Sequence, residues 1–146
     1  PDASVDVIVC SGMLHHLDLS YAFPELRRIL KPGGKIICSE ALDYNPIIKW
    51  YRLRTPAMRT EWEKNHILSK KDLRFAQRFF ELGEVRYWHL AAPLAGFVGN
   101  EATRDRLLSR AQRLDAVLER LPGVRLLSWM FTFELIGVAD DKIDLR

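Results

Sequence analysis

The clearest signal along the chain is an alternation of short apolar runs with amphipathic stretches. "VDVIVC", Val5 to Cys10, is almost wholly apolar and rich in β-branched residues, the pattern of a strand covered on both faces as in a parallel sheet. From about Ser20 to Leu30 the apolar positions Ala22, Phe23, Leu26, Ile29 and Leu30 recur at three and four, with Arg27 and Arg28 on the opposite side, so a helix is expected there. "KPGG", Lys31 to Gly34, reads as its stop, because proline cannot continue a helix and glycine tolerates positive φ. "KIICSE", Lys35 to Glu40, is a second buried strand. Strand, helix and parallel strand in such a short span form a βαβ unit, whose crossover is right-handed.

Downstream the pattern continues less regularly. Asn45 as cap and Pro46 at the first helical position predict a helix to about Leu53, broken by Pro56. Ser69 caps a further helix through Phe80, with Leu73, Ala76 and Phe79 or Phe80 inward and Gly83 as its end. "EVRYWHL", Glu84 to Leu90, reads as a third strand, and "AAPLAGFVGN" as a loop or short turn. Glu101 to Leu121 is the most regular helix: Leu107, Ala111, Leu114, Leu118 and Leu121 form one stripe, read as core in preference to a membrane-lying face. A last strand runs from about Arg125 to Ala139. The order β-α-β-α-α-β-α-β is that of the second half of a doubly wound α/β sheet.

Composition narrows the class without naming a function. The 146 residues are 48% hydrophobic and 28% charged, enough apolar material for one globular domain. A net charge of +3 is too mild to indicate nucleic acid without a concentrated basic stripe. Cys10 and Cys38 lie inside apolar runs and lack C-x-x-C spacing, so buried thiols in a reducing setting are expected. With neither a leader-like start nor an apolar run long enough to span a bilayer, a cytoplasmic location is expected.

The chemistry-bearing stretch is "DVIVCSGMLHHLD", Asp6 to Asp18. Ser11 has no glycine two residues before or after it, which excludes the nucleophile elbow of serine hydrolases. His15 and His16 are neighbours whose side chains diverge, so they do not form a metal site by themselves. Either imidazole is a candidate base; a wall or packing role is the alternative.

"DVIVCSGMLHHLD" followed by "ELRRILKPGGKIICSE" resembles the corresponding half of class I S-adenosylmethionine-dependent methyltransferases, of the small-molecule type with Leu-His-His after the fourth strand. The resemblance implies a Rossmann-like sheet, mostly parallel with a last antiparallel strand. It also implies S-adenosylmethionine as cofactor, bound at the carboxyl ends of the strands. Ser11, Gly12, Met13, Leu14 and His15 are then expected to line the cofactor, with His15 or His16 as catalytic candidates. That family also uses a glycine-rich turn after its first strand, and no G-x-G occurs in these 146 residues. The expectation is therefore a partial domain, 1–146, from about the fourth strand onward, with an aromatic and basic insertion at about 45–68.

In that insertion Lys49, Arg52, Arg54 and Arg59 lie among Trp50, Tyr51 and Trp62. Glu40, Tyr51 and Arg52 are the candidate substrate contacts, suited to an anionic or aromatic small molecule; a solvated basic face is the ordinary alternative. The expected function is methyl transfer to a small-molecule acceptor within a longer enzyme. The alternative is a non-catalytic binding or interaction module retaining half of the fold, with self-association through the edge strand Val5 to Cys10.

Overall fold

A computed structural model describes residues 1–55, 57, 60, 62 and 66–139. The predicted helix breaker Pro56 and the basic Arg59 lie outside the described residues. Four strands form one sheet in the order β1-β2-β4-β3. These are β1 (Val5–Ser11), β2 (Leu30–Ala41), β3 (Phe80–Trp88) and β4 (Met130–Gly137). β1 and β2 pair in parallel, with Cys10 opposite Cys38 and Ser11 opposite Ser39. β4 runs antiparallel to both β2 and β3 and lies between them. Three strands thus share one direction and the last opposes them, as the resemblance implied.

Among the described residues the α-helices with defined bounds are α1 (Leu19–Ile29), α2 (Pro46–Arg54), α3 (Lys70–Ala76) and α4 (Glu101–Leu118). Their starts follow local chemistry. Asp18 accepts from Ser20 N, Asn45 from Ile47 N and Ile48 N, and Ser69 and Asp72 form a reciprocal capping box. Proline at the first position of α2 costs no hydrogen bond there.

One face of the sheet carries the core. Ile36, Cys38 and Glu40 of β2 and Phe131, Phe133 and Leu135 of β4 alternate inward against Phe23 of α1, Leu73 and Ala76 of α3, and Phe79 and Phe80. Phe23 meets the rings of Phe75, Phe79 and Phe80 at 5.8, 6.3 and 6.0 Å between centroids. The other face is open: Val7 and Val9 are 56% and 71% exposed, and Ile37 and Trp88 are also exposed. The continuous apolar pattern of β1 predicted cover on both faces. Among the described residues only one face of β1 is packed, and β1 is an edge of this sheet.

Several features differ from expectation: the last strand starts at Met130, not Arg125, because Val124–Leu127 form a 3-10 turn, and the third strand starts at Phe80, not Glu84. The Lys31–Gly34 stretch belongs to β2, where it absorbs the register shift between Val5 and Val7 of the partner strand. α3 ends at Ala76, not Phe80, because the turn after it lets both Phe79 and Phe80 enter the core. Gly83 is no helix stop. It lies within β3, where a Cβ would come within 2.9 Å of Glu134 Cβ, next to the register shift between Leu82 and Val85. The expected leucine core of α4 is not buried: Leu107, Leu114 and Leu121 are exposed, and the buried positions of α4 are Ala111 and Asp115. α4 leans on a short 3-10 segment, Ala92–Phe97, rather than on the sheet, so a narrow strip suffices.

Candidate functional site

β1 and β2 end side by side. Gly12 N still donates to Ser39 O at 2.8 Å, then the chain turns at Gly12, whose φ of +59° favours a residue without Cβ. Met13 precedes a single 3-10 turn, Leu14–His16. This turn begins with backbone N–H groups that no helical partner satisfies. Glu40, at the end of β2, satisfies two of them: Met13 N and Leu14 N donate to its Oε1 at 2.8 and 2.7 Å. Its other oxygen, Oε2, lies 2.6 Å from His15 Nδ1. Glu40 is 0% exposed, and the His15 side chain 16% exposed. A carboxylate at that depth is tolerated because every oxygen meets a donor.

The expected site residues therefore separate into groups. Ser11, Gly12 and Met13 are exposed residues at the carboxyl edge, and the N–H groups of Gly12 and Met13 are already given to Ser39 O and Glu40 Oε1. Leu14 was expected to line the cofactor, yet its side chain is fully buried in the core and it offers the edge only its N–H. His15 stands at the edge with its ring 4.2 Å from that of His16, which is exposed. Glu40 was expected to touch substrate, but its oxygens are occupied by the turn. Among the described residues no three His, Cys, Asp or Glu side chains are grouped to hold a metal ion.

The basic residues Lys49, Arg52 and Arg54 each have a local partner. Lys49 Nζ lies 2.8 Å from Asp43 Oδ2 and Arg52 Nη1 lies 3.7 Å from Asp43 Oδ1, while the Arg54 guanidinium sits over the Trp50 ring at 4.2 Å. Arg52 also donates to Leu42 O, and Tyr51 is half-buried with its carbonyl accepting from Thr55 Oγ1. Arg52 thus ties α2 to the residues just after β2, and none of these bonds joins Arg52 or Tyr51 to the histidine turn. Leu42 bridges Leu68, and Asp43 N donates to Leu68 O.

Beneath the turn is a cavity of about 240 Å³ lined by Leu14, Leu17, Asp18, Leu19, Ser20, Trp62, His66 and Asp72. The Trp62 and His66 rings stack in it at 3.7 Å, within 2° of parallel. Bonds from the Ser20 hydroxyl and backbone hold Asp18 below the usual carboxylate range, so this cavity wall is anionic. Cys10 and Cys38 are free, buried thiols; contact with Cys10 and burial push the Cys38 thiol up, which keeps it protonated. No helix of the described residues is long and apolar enough to cross a membrane.

Sequence reasoning missed a second buried carboxylate. Asp115 of α4 accepts from Leu90 N, Ala91 N and Ala92 N at 3.1, 2.7 and 3.2 Å. The available signal was an acidic residue within the predicted leucine stripe of a helix.

Comparison with known proteins bears on this geometry. Residues 1–38 match the family model described as a methyltransferase domain. Comparison with the curated proteins found no match. Among solved structures, a SAM-dependent methyltransferase from Archaeoglobus fulgidus is similar at 13% identity and TM-score 0.56, over 94% of this chain and 61% of that one. A SAM-dependent methyltransferase from Methanosarcina mazei is similar at 19% identity and TM-score 0.54, over 95% and 62%. The [4+2]-cyclase SpnF is similar at 16% identity and TM-score 0.53, over 95% and 53%.

The fold is the Rossmann-like fold of class I S-adenosylmethionine-dependent methyltransferases, and the segment carrying the histidine turn lies within the matched residues. The chain spans about three fifths or less of the length of these three structures. The cyclase carries a different reaction on a similar fold, so the function has to be argued from the site itself. The residues present fit one wall of an S-adenosylmethionine site. A Cβ built on Gly12 would meet nothing nearer than His15 Cε1 at 4.0 Å, so the exposed backbone leaves room for a ligand.

Proposed function

We propose that this chain contributes the acceptor side of an S-adenosylmethionine-dependent methyltransferase acting on a small molecule. A glycine-rich cofactor turn would come from residues outside these 146. The observation that supports it most is the turn after β1: an exposed Ser11-Gly12-Met13 backbone at the sheet's carboxyl edge, held by a buried carboxylate with an imidazole beside it. In this reading Ser11, Gly12, Met13 and the His15 ring hold the methionine end of the cofactor. When bound, S-adenosylmethionine supplies an electrophilic methyl group. His15 or His16 receives the acceptor's proton.

Calorimetric titration of S-adenosylmethionine into this chain, and into a version extended upstream by the encoded residues, tests the proposal. Binding confined to the extended version, or much tighter there, is the expected result. Failure of both to bind removes the enzyme reading. It then favours the alternative interaction module, for which the observations are that β1 is an edge strand among the described residues and that Val7 and Val9 are exposed on the face of the sheet.

A further inference from the structure

We infer that Glu40 is a positioning residue that holds His15 as its Nδ1–H tautomer and leaves Nε2 as a proton acceptor at the carboxyl edge, so that the acceptor molecule is one that gives up a proton as it is methylated, such as a hydroxyl or amine compound. This rests on the methyltransferase reading for its last step; the tautomer itself does not.

The argument from hydrogen-bond capacity is short. An ionised carboxylate only accepts. Glu40 Oε1 already accepts from two main-chain N–H groups, so this carboxylate acts as an acceptor throughout the turn. At 2.6 Å from Oε2, His15 Nδ1 must then supply the proton of that contact. A neutral ring with Nδ1 protonated has its lone pair on Nε2, and Nε2 has no partner among the described residues. The free neutral side chain prefers the opposite tautomer, so this one exists because the fold imposes it.

The main chain anchors the device. Glu40 cannot swing away from His15 without releasing Met13 N and Leu14 N, which are half-buried or buried. Methyl transfer to oxygen or nitrogen uses such a group directly. As the acceptor's lone pair forms its bond to the methyl carbon, the carbon–sulfur bond breaks and its pair stays on sulfur. The acceptor's O–H or N–H proton passes to His15 Nε2. The resulting imidazolium lies against the Glu40 carboxylate, which offsets its charge. An acceptor without a proton to lose has no use for the arrangement.

The test is long-range 15N–1H NMR of the 15N-histidine protein at a pH where the rings are neutral, with His15→Gln to assign the signal. The expected spectrum shows His15 protonated at Nδ1 by a margin of roughly tenfold or more. In Glu40→Gln the amide oxygen is needed by Met13 N and Leu14 N, so the NH2 group faces Nδ1. The tautomer then inverts to Nε2–H. In the loaded protein kcat falls about 100-fold while the affinity for S-adenosylmethionine stays within about twofold.

Nε2–H, or a mixture, in the unaltered protein overturns the proposal, as does a Glu40→Gln protein that keeps the original tautomer. The unaltered spectrum decides the first point even if the variant does not fold. A spectrum as expected in a protein that binds no S-adenosylmethionine overturns the methyltransferase reading and the acceptor class, and leaves the Glu40–His15 pairing standing.

Discussion

Two corners of this molecule are built on the same device, a buried carboxylate that gathers backbone N–H groups of a turn. At the β1–β2 edge Glu40 takes Met13 N and Leu14 N; at the end of β3 Asp115 takes Leu90 N, Ala91 N and Ala92 N. They differ in what is left over. Asp115 spends both oxygens on main chain, so its work ends with docking α4 against the 3-10 segment. Glu40 concentrates its main-chain bonds on one oxygen and keeps the other for an imidazole that reaches the surface. The contrast teaches how to separate a carboxylate that only fastens a turn from one that also sets the chemistry of a neighbour. The signature is the asymmetric use of its two oxygens.

Substitutions can break or sharpen this contrast. The largest effect is expected at Glu40→Ala, which leaves the buried Leu14 N and the half-buried Met13 N without their acceptor and removes the partner of His15. A loss of about 3–5 kcal/mol in urea unfolding is expected. Asp115→Ala is expected to cost about 2–3 kcal/mol in the same measurement, because its corner is slightly more open and water replaces part of what is lost. It should leave the His15 tautomer and S-adenosylmethionine affinity unchanged. If Asp115→Ala moved either of them, the two corners would be coupled and the contrast would fail.

The smallest effect is expected one residue away, at Leu114→Lys. Leu114 is 50% exposed, so a change within about 0.5 kcal/mol follows. A cost of several kcal/mol would restore the leucine stripe to the core, and Asp115 would no longer be the principal tie of α4.

Much of the architecture was legible from patterning. β1, α1 and β2 announce themselves through apolar runs and a three-four periodicity, since each buries a face whose period the sequence must carry. The capping residues Asn45 and Ser69 worked as read, because a cap is a contact within a few residues. Long-range choices were not legible in the same way. Gly83 looks like a helix stop, yet it serves a close approach to Glu134, a residue far along the chain. The leucines of α4 keep a core-like spacing while standing exposed, because spacing describes a helix and not its neighbours. At the site, the Ser-Gly-Met turn and the two histidines were visible as chemistry at the end of a strand. That Glu40 would bond the turn rather than the substrate depends on β1 and β2 ending in register, Ser11 opposite Ser39.

By itself, then, the sequence determined the elements whose causes are local: strand runs, helix periodicity, caps and the placement of polar residues after Cys10 and Cys38. The tertiary structure decided which side chains meet. It put β4 between β2 and β3, gave Asp115 three amides, and laid the last carboxylate of β2 against the first amides of the histidine turn. The physical reason is that a buried charge finds its donors wherever packing delivers them, and packing joins residues that the chain holds far apart.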